Sequence, residues 1–92
     1  MLKTGQGVLV GRDTGGVHRF LGIPYAQPPV GALRWQAPRP LEAAWPGRRD
    51  ATRFASACVQ GAKPTLAQGS SEDCLYLNVW APAKPGPHPV MV

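Results

Sequence analysis

The run Ser71-Glu72-Asp73-Cys74-Leu75-Tyr76-Leu77-Asn78-Val79-Trp80 constrains this chain more than any other stretch. Leu75, Leu77 and Val79 alternate with Tyr76, Asn78 and Trp80, a period of two that predicts a β-strand. Large side chains on both sides of the pleat predict cover on both faces. Two carboxylates lead straight into that strand, and a buried carboxylate without a partner is costly. Arg34 poses the reciprocal demand. It is always charged and sits between Leu33 and Trp35, two residues expected to be buried; its planar fork suits a carboxylate. Glu72 is the candidate partner. The alternative is a surface arginine with its stem laid on Trp35.

Upstream, Gly7 to Arg12 and Val17 to Leu21 read as short β-type runs around Asp13-Thr14-Gly15-Gly16, a turn whose glycines supply positive φ. This predicts an N-terminal β-hairpin, with His18 as an ordinary strand-face histidine. Gly22 to Gly31 holds three prolines, which remove donors and push their predecessors toward extended angles. A rigid extended loop is expected there, with Ile23 and Tyr25 buried and with residues 32–40 extended as well. Trp45 reads as an anchor before a turn. Residues 51–57 offer one helical turn at most, and residues 61–70 form a polar loop. After a proline-rich turn at 81–88, Pro89-Val90-Met91-Val92 reads as the start of another buried strand. The chain stops there, which suggests a segment of a larger protein. Eleven glycines and eleven prolines in 92 residues fit the same expectation, because ordinary apolar content argues against disorder.

A net charge of +5 raises nucleic-acid binding as a possibility. The arginines are dispersed, however, with only Arg48 and Arg49 adjacent, so no binding face is predicted. No stretch reaches the roughly 18 apolar residues of a membrane span, and the first residues carry no apolar signal core. The compartment stays open. Cys58 and Cys74, sixteen positions apart, allow one bridge or a pair of free thiols. They do not make a metal site, having neither CxxC spacing nor histidine partners. No cofactor-binding residue stands out. Asp73 beside Glu72 is not read as a general acid/base pair, because adjacent strand-entry residues point apart.

The chain resembles the type-B carboxylesterases, the cholinesterase-like branch of the α/β-hydrolases. The Glu72 to Asn78 run is similar to their Glu-Asp-Cys-Leu-x-Leu-Asn signature. Phe20 to Gly31 resembles their Phe-x-Gly-Ile-Pro-Tyr-Ala-x-Pro-Pro-x-Gly run, and Leu33 to Pro38 their Leu-Arg-Phe-x-x-Pro segment, with Trp35 in place of Phe. Trp45 and Cys58-Val59-Gln60 follow in the family's order. The resemblance implies an α/β-hydrolase, with residues 1–92 as the N-terminal part of its domain: a β-hairpin, proline-rich loops and the first strands of the central sheet, with little helix. It implies hydrolysis of small-molecule esters by a serine triad through an acyl-enzyme. It also implies a Cys58–Cys74 disulfide and an Arg34–Glu72 ion pair. Positions 59–73 hold no aromatic residue for a quaternary ammonium substrate.

The catalytic parts themselves are missing. The serines are Ser56, Ser70 and Ser71, and none sits in a Gly-x-Ser-x-Gly elbow. No His-Gly-Gly loop offers an oxyanion hole. No catalytic residue is therefore assigned within the chain, and the competing reading is a small basic interaction module without activity.

Overall fold

The computed structural model describes residues 1–61 and 69–92, so most of the polar loop expected at 61–70 lies outside the described residues. The strands are β1 (Leu2–Thr4), β2 (Gly7–Val10), β3 (Arg12–Thr14), β4 (Val17–Pro24), β5 (Arg48–Asp50) and β6 (Tyr76–Pro82). They form two three-stranded sheets, ordered β1-β2-β5 and β3-β4-β6. The described helix is one 3-10 turn at Gly31–Leu33.

The expected hairpin forms only in part. Gly15 and Gly16 close β3 onto β4, with Thr14 opposite Val17 and Arg12 opposite Arg19. The Gly7 to Arg12 run does not continue as one strand beside β4. It breaks at Gly11, where a Cβ would lie 2.4 Å from the Arg19 carbonyl oxygen and 2.5 Å from the Phe20 ring. The backbone changes sheets at this close approach. β2 then pairs antiparallel with β1 and parallel with β5, setting Val8, Leu9 and Val10 opposite Arg48, Arg49 and Asp50.

The two sheets meet at Ala51, the residue after β5. Its N–H donates to the Val10 carbonyl at 2.8 Å, and its own carbonyl accepts the Leu21 N–H at 2.8 Å. Ala51 is 1% exposed and packs with Leu9 and Phe20 in the core, with Ile23 and Trp45 at its margin. Leu21 can turn toward Ala51 because β4 is bulged there. Phe20 lies opposite Val79 and Ile23 opposite Leu77, so Leu21 and Gly22 together face Asn78. The Gly22 N–H that leaves the ladder donates instead to Asn78 Oδ1 at 2.9 Å. Gly22 has φ +66°, and a Cβ there would lie 2.7 Å from the Arg53 carbonyl, so only glycine fits.

The proline-rich loop is irregular, as the prolines require, and is pinned where Gln27 donates from its backbone to the Arg39 carbonyl and from its side chain to the Pro40 carbonyl, both at 2.9 Å. Trp45 anchors the far end of this loop, donating its backbone N–H to Gln6 and Nε1–H to the Val8 carbonyl.

Several expectations need correction. Tyr25 is exposed and Ile23 only partly buried. Residues 31–33 coil into the 3-10 turn rather than staying extended, and Trp35 beyond it has φ +63° and is 89% exposed. A left-handed conformation costs a non-glycine residue roughly 1–2 kcal/mol. No helical turn forms over residues 51–57. β6 starts at Tyr76 and is not covered on both faces. Among the described residues its strand partner is β4, and Leu77, Val79 and Trp80 remain substantially exposed, with Phe54 tilted against Trp80 at 6.3 Å. Pro89 to Val92 forms no strand and is exposed, since without a neighbour the backbone of such a run is hydrogen-bonded only by water.

The bulge yields a test. Asn78→Ala strands the buried Gly22 N–H and should lower stability by about 1–3 kcal/mol in urea unfolding. Asn78→Asp keeps an acceptor and should lose less. Equal stability of Asn78→Ala and the parent chain would show that the side chain does not hold the bulge.

Candidate functional site

The 3-10 turn ends on Arg34, whose N–H donates to the Gly31 carbonyl at 3.2 Å. This delivers the guanidinium to the segment that leads into β6. Arg34 Nε lies 2.8 Å from Glu72 Oε1, and the guanidinium carbon lies 5.4 Å over the Trp35 ring. The arginine therefore reaches Glu72 and also lies over Trp35, the latter through its guanidinium. Its partner atom is Nε, so the pair does not use the whole fork. The side chains are 57% and 46% exposed, and a pair this open to water contributes about 0–1 kcal/mol.

Two positions on, Cys74 is bonded to Cys58 in a disulfide, with Cα atoms 4.9 Å apart. The ends of the closed loop are also joined by backbone, the Ala57 N–H donating to Gly69 at 3.1 Å and the Ser71 N–H to Ala57 at 2.9 Å. Closing a loop of this size restricts the unfolded chain by roughly 3 kcal/mol. Between these anchors, Asp73 N–H donates to Ser71 Oγ at 3.1 Å. The Tyr76 phenol is pushed above its ordinary value by burial first and by its hydrogen bond to the Asp73 carboxylate second.

These residues border a recess of about 320 Å³ whose polar lining includes Arg49, Arg53, Asp50, Asp73, Ser71 and Tyr76. Arg49 stacks against Trp45 at 5.8 Å, and its Nε is buried without a hydrogen-bond partner. Asp50 is held below the usual carboxylate range, chiefly by hydrogen bonds from Thr52, with Arg53 and Arg12 adding a smaller attraction. Ser56 and Ser71 also line this space, but no imidazole is hydrogen-bonded to either. His18 Nδ1 contacts the Asp13 carboxylate directly across the β3–β4 hairpin, and His88 Nε2 contacts the Lys84 carbonyl. The Asp13–His18 pair was not foreseen. Its signal was the placement of both residues at equal distance from the Gly15-Gly16 turn. Among the described residues no cluster of His, Cys, Asp or Glu could hold a metal ion, and no helix is long and apolar enough to cross a membrane.

The fold and the Glu72 to Asn78 run together define an esterase-type scaffold. The Carboxylesterase family profile matches residues 1–92, and the chain belongs to that family. It is 51% identical over 83 residues to fumonisin B1 esterase of Sphingopyxis macrogoltabida, covering 85% of this chain and 15% of that protein. It is 44% identical over 98 residues to para-nitrobenzyl esterase of Bacillus subtilis (strain 168), covering 100% of this chain and 20% of that protein. Among solved structures, a thermophilic PNB esterase superposes with a TM-score of 0.80 at 42% identity, covering 90% of this chain and 18% of that one. The structural neighbours are α/β-hydrolase esterases, and this mostly stranded chain is consistent with their N-terminal part. The chain spans a fifth or less of the length of these relatives.

Two measurements check the site. In a double-mutant cycle, Arg34→Met and Glu72→Gln should each destabilise modestly and show a coupling of up to about 1 kcal/mol; additive losses would mean the pair contributes nothing. For Tyr76 the folded-state pKa lies above the unfolded one. The stability it contributes is full below the ordinary phenol value of 10.0 and is lost as pH rises through the raised folded value. Tyr76→Phe should remove that part of the alkaline destabilisation; an unchanged alkaline profile would show that this phenol is not its source.

Proposed function

We propose that residues 1–92 are the N-terminal part of a serine carboxylesterase domain that hydrolyses small-molecule carboxylic esters through an acyl-enzyme. The observation that carries this reading is the family match over residues 1–92, together with 51% and 44% identity to two named esterases. In this reading β3, β4 and β6 are the first strands of the hydrolase's central sheet, and the small β1-β2-β5 sheet packs beside them. The nucleophile, the rest of the triad and the oxyanion hole belong to residues outside these 92, because the sequence holds neither a Gly-x-Ser-x-Gly elbow nor a His-Gly-Gly loop.

The part played by this segment is structural. The Arg34–Glu72 pair ties the proline-rich lead-in, and the Cys58–Cys74 bond ties the segment at Ala57 and Cys58, to the entry of β6. The arginines behind the +5 charge are dispersed along the sequence, and in this reading they are assigned no nucleic-acid partner. The loop of residues 59–73 has no aromatic side chain, so it supplies no cation–π contact to a choline ester.

The test compares two proteins. The 92-residue chain should not hydrolyse p-nitrophenyl acetate above a denatured-protein control. A longer product of the same reading frame should hydrolyse it, and alanine at the serine of its Gly-x-Ser-x-Gly motif should abolish turnover. Turnover by the 92-residue chain would contradict the proposal. So would a longer product without that motif.

A further inference from the structure

Glu72 reaches Arg34 from a segment with few other attachments. Residues 69–74 belong to no strand. Their backbone bonds run to Ala57 and, at the Cys74 carbonyl, to the Tyr76 N–H where β6 begins. Ala57 itself lies in an irregular stretch next to Cys58. Among the described residues, nothing in 57–61 or 69–74 donates to or accepts from β1 to β5. The Cys58–Cys74 bond is therefore the one covalent fastener between the Glu72 segment and the loop opposite it. An ion pair with both partners about half exposed is too weak to offset the entropy of ordering several residues by itself.

Both sheets are built differently. Their ladders, the Ala51 hydrogen bonds and the core of Leu9, Phe20 and Ala51 include neither Cys58 nor Cys74, although β6 begins two residues after Cys74. Cys58 is exposed and Cys74 partly so, which leaves Cys58 open to an attacking thiolate.

We propose that the Cys58–Cys74 bond is a redox-sensitive clasp: its reduction by a dithiol frees residues 69–74, and with them Glu72 from Arg34, while both sheets stay folded. A thiolate of the dithiol attacks Cys58 Sγ, and Cys74 leaves as a thiolate. The second thiolate of the dithiol attacks the mixed disulfide, Cys58 leaves, and the reductant becomes a disulfide. Two electrons pass from the dithiol to the protein, and an oxidised thiol pair in the medium reverses the exchange.

The experiment is amide hydrogen exchange on the full chain, oxidised and then reduced with dithiothreitol, alongside the Arg34→Met/Glu72→Gln cycle under both conditions. On reduction the Ala57, Ser71 and Asp73 amides should exchange at least tenfold faster, the amides of β2 and β4 should keep their rates, and the coupling between Arg34 and Glu72 should vanish. A Cys58→Ser/Cys74→Ser double variant should show the reduced pattern without reductant and no further response to it. Unchanged rates at Ala57, Ser71 and Asp73, or a coupling that survives reduction, would overturn the proposal. Loss of protection throughout β2 and β4 would overturn it too, because the bond would then hold the whole fold. Neither readout involves ester hydrolysis, so this inference stands or falls apart from the proposed activity.

Discussion

The structure depends on Ala51, where one peptide group on each side of a small residue joins two sheets that share no strand. Its N–H belongs to the β2 side and its carbonyl to the β4 side, and both bonds are 2.8 Å. In a buried place neither group could be left without a partner. A larger side chain would have to displace Leu9 or Phe20, which pack around it. β4 supplies the matching N–H only because it bulges at Leu21 and Gly22, and the bulge is tolerable only because Asn78 replaces the lost ladder bond. Three segments distant in sequence are thus interlocked by main-chain chemistry, with one side-chain amide completing the set.

From this follows a physical reading of the run that leads into β6. Its residues do not form one site. Four of them reach other parts of the chain: Glu72 to Arg34, Cys74 to Cys58, the Leu75 carbonyl to the Tyr25 N–H at 3.2 Å, and Asn78 to Gly22. The run is a row of anchors at the entrance of a strand, and it explains why so many polar residues accompany an apolar alternation. The strengths are unequal. The disulfide and the Asn78 bond act on ordered or closed segments, whereas the half-exposed ion pair adds little in this chain. An anchor row of this kind belongs to a scaffold, which agrees with a family match covering all 92 residues and no catalytic motif among them.

Much of this was legible in the residues, and the failures have a common cause. The Gly15-Gly16 turn, the irregular proline-rich loop, the Trp45 anchor and the alternating strand all follow from local stereochemistry. The split of the Gly7 to Arg12 run does not, because it is decided by the approach of Gly11 to the Arg19 carbonyl, a tertiary contact. The three-residue strands β1 and β5 are too short to show a period. Tyr25, Trp35 and the apolar side chains of β6 were expected to be buried on their chemistry alone. Apolarity states what burial would stabilise, while cover depends on which surfaces the chain brings near. Arg34 announced its need for a carboxylate, but nothing in the residues announced that it would remain half in water beside an exposed tryptophan.

The most direct measurement of the account is the exchange of the Leu21 and Ala51 amides in the unmodified chain. Bonds that join the sheets should open only when the fold opens, so these two amides should be among the slowest and should share one opening free energy. If they exchange as fast as the amides of the exposed β3 strand, Arg12–Thr14, the two sheets are not joined at Ala51 and the account is wrong.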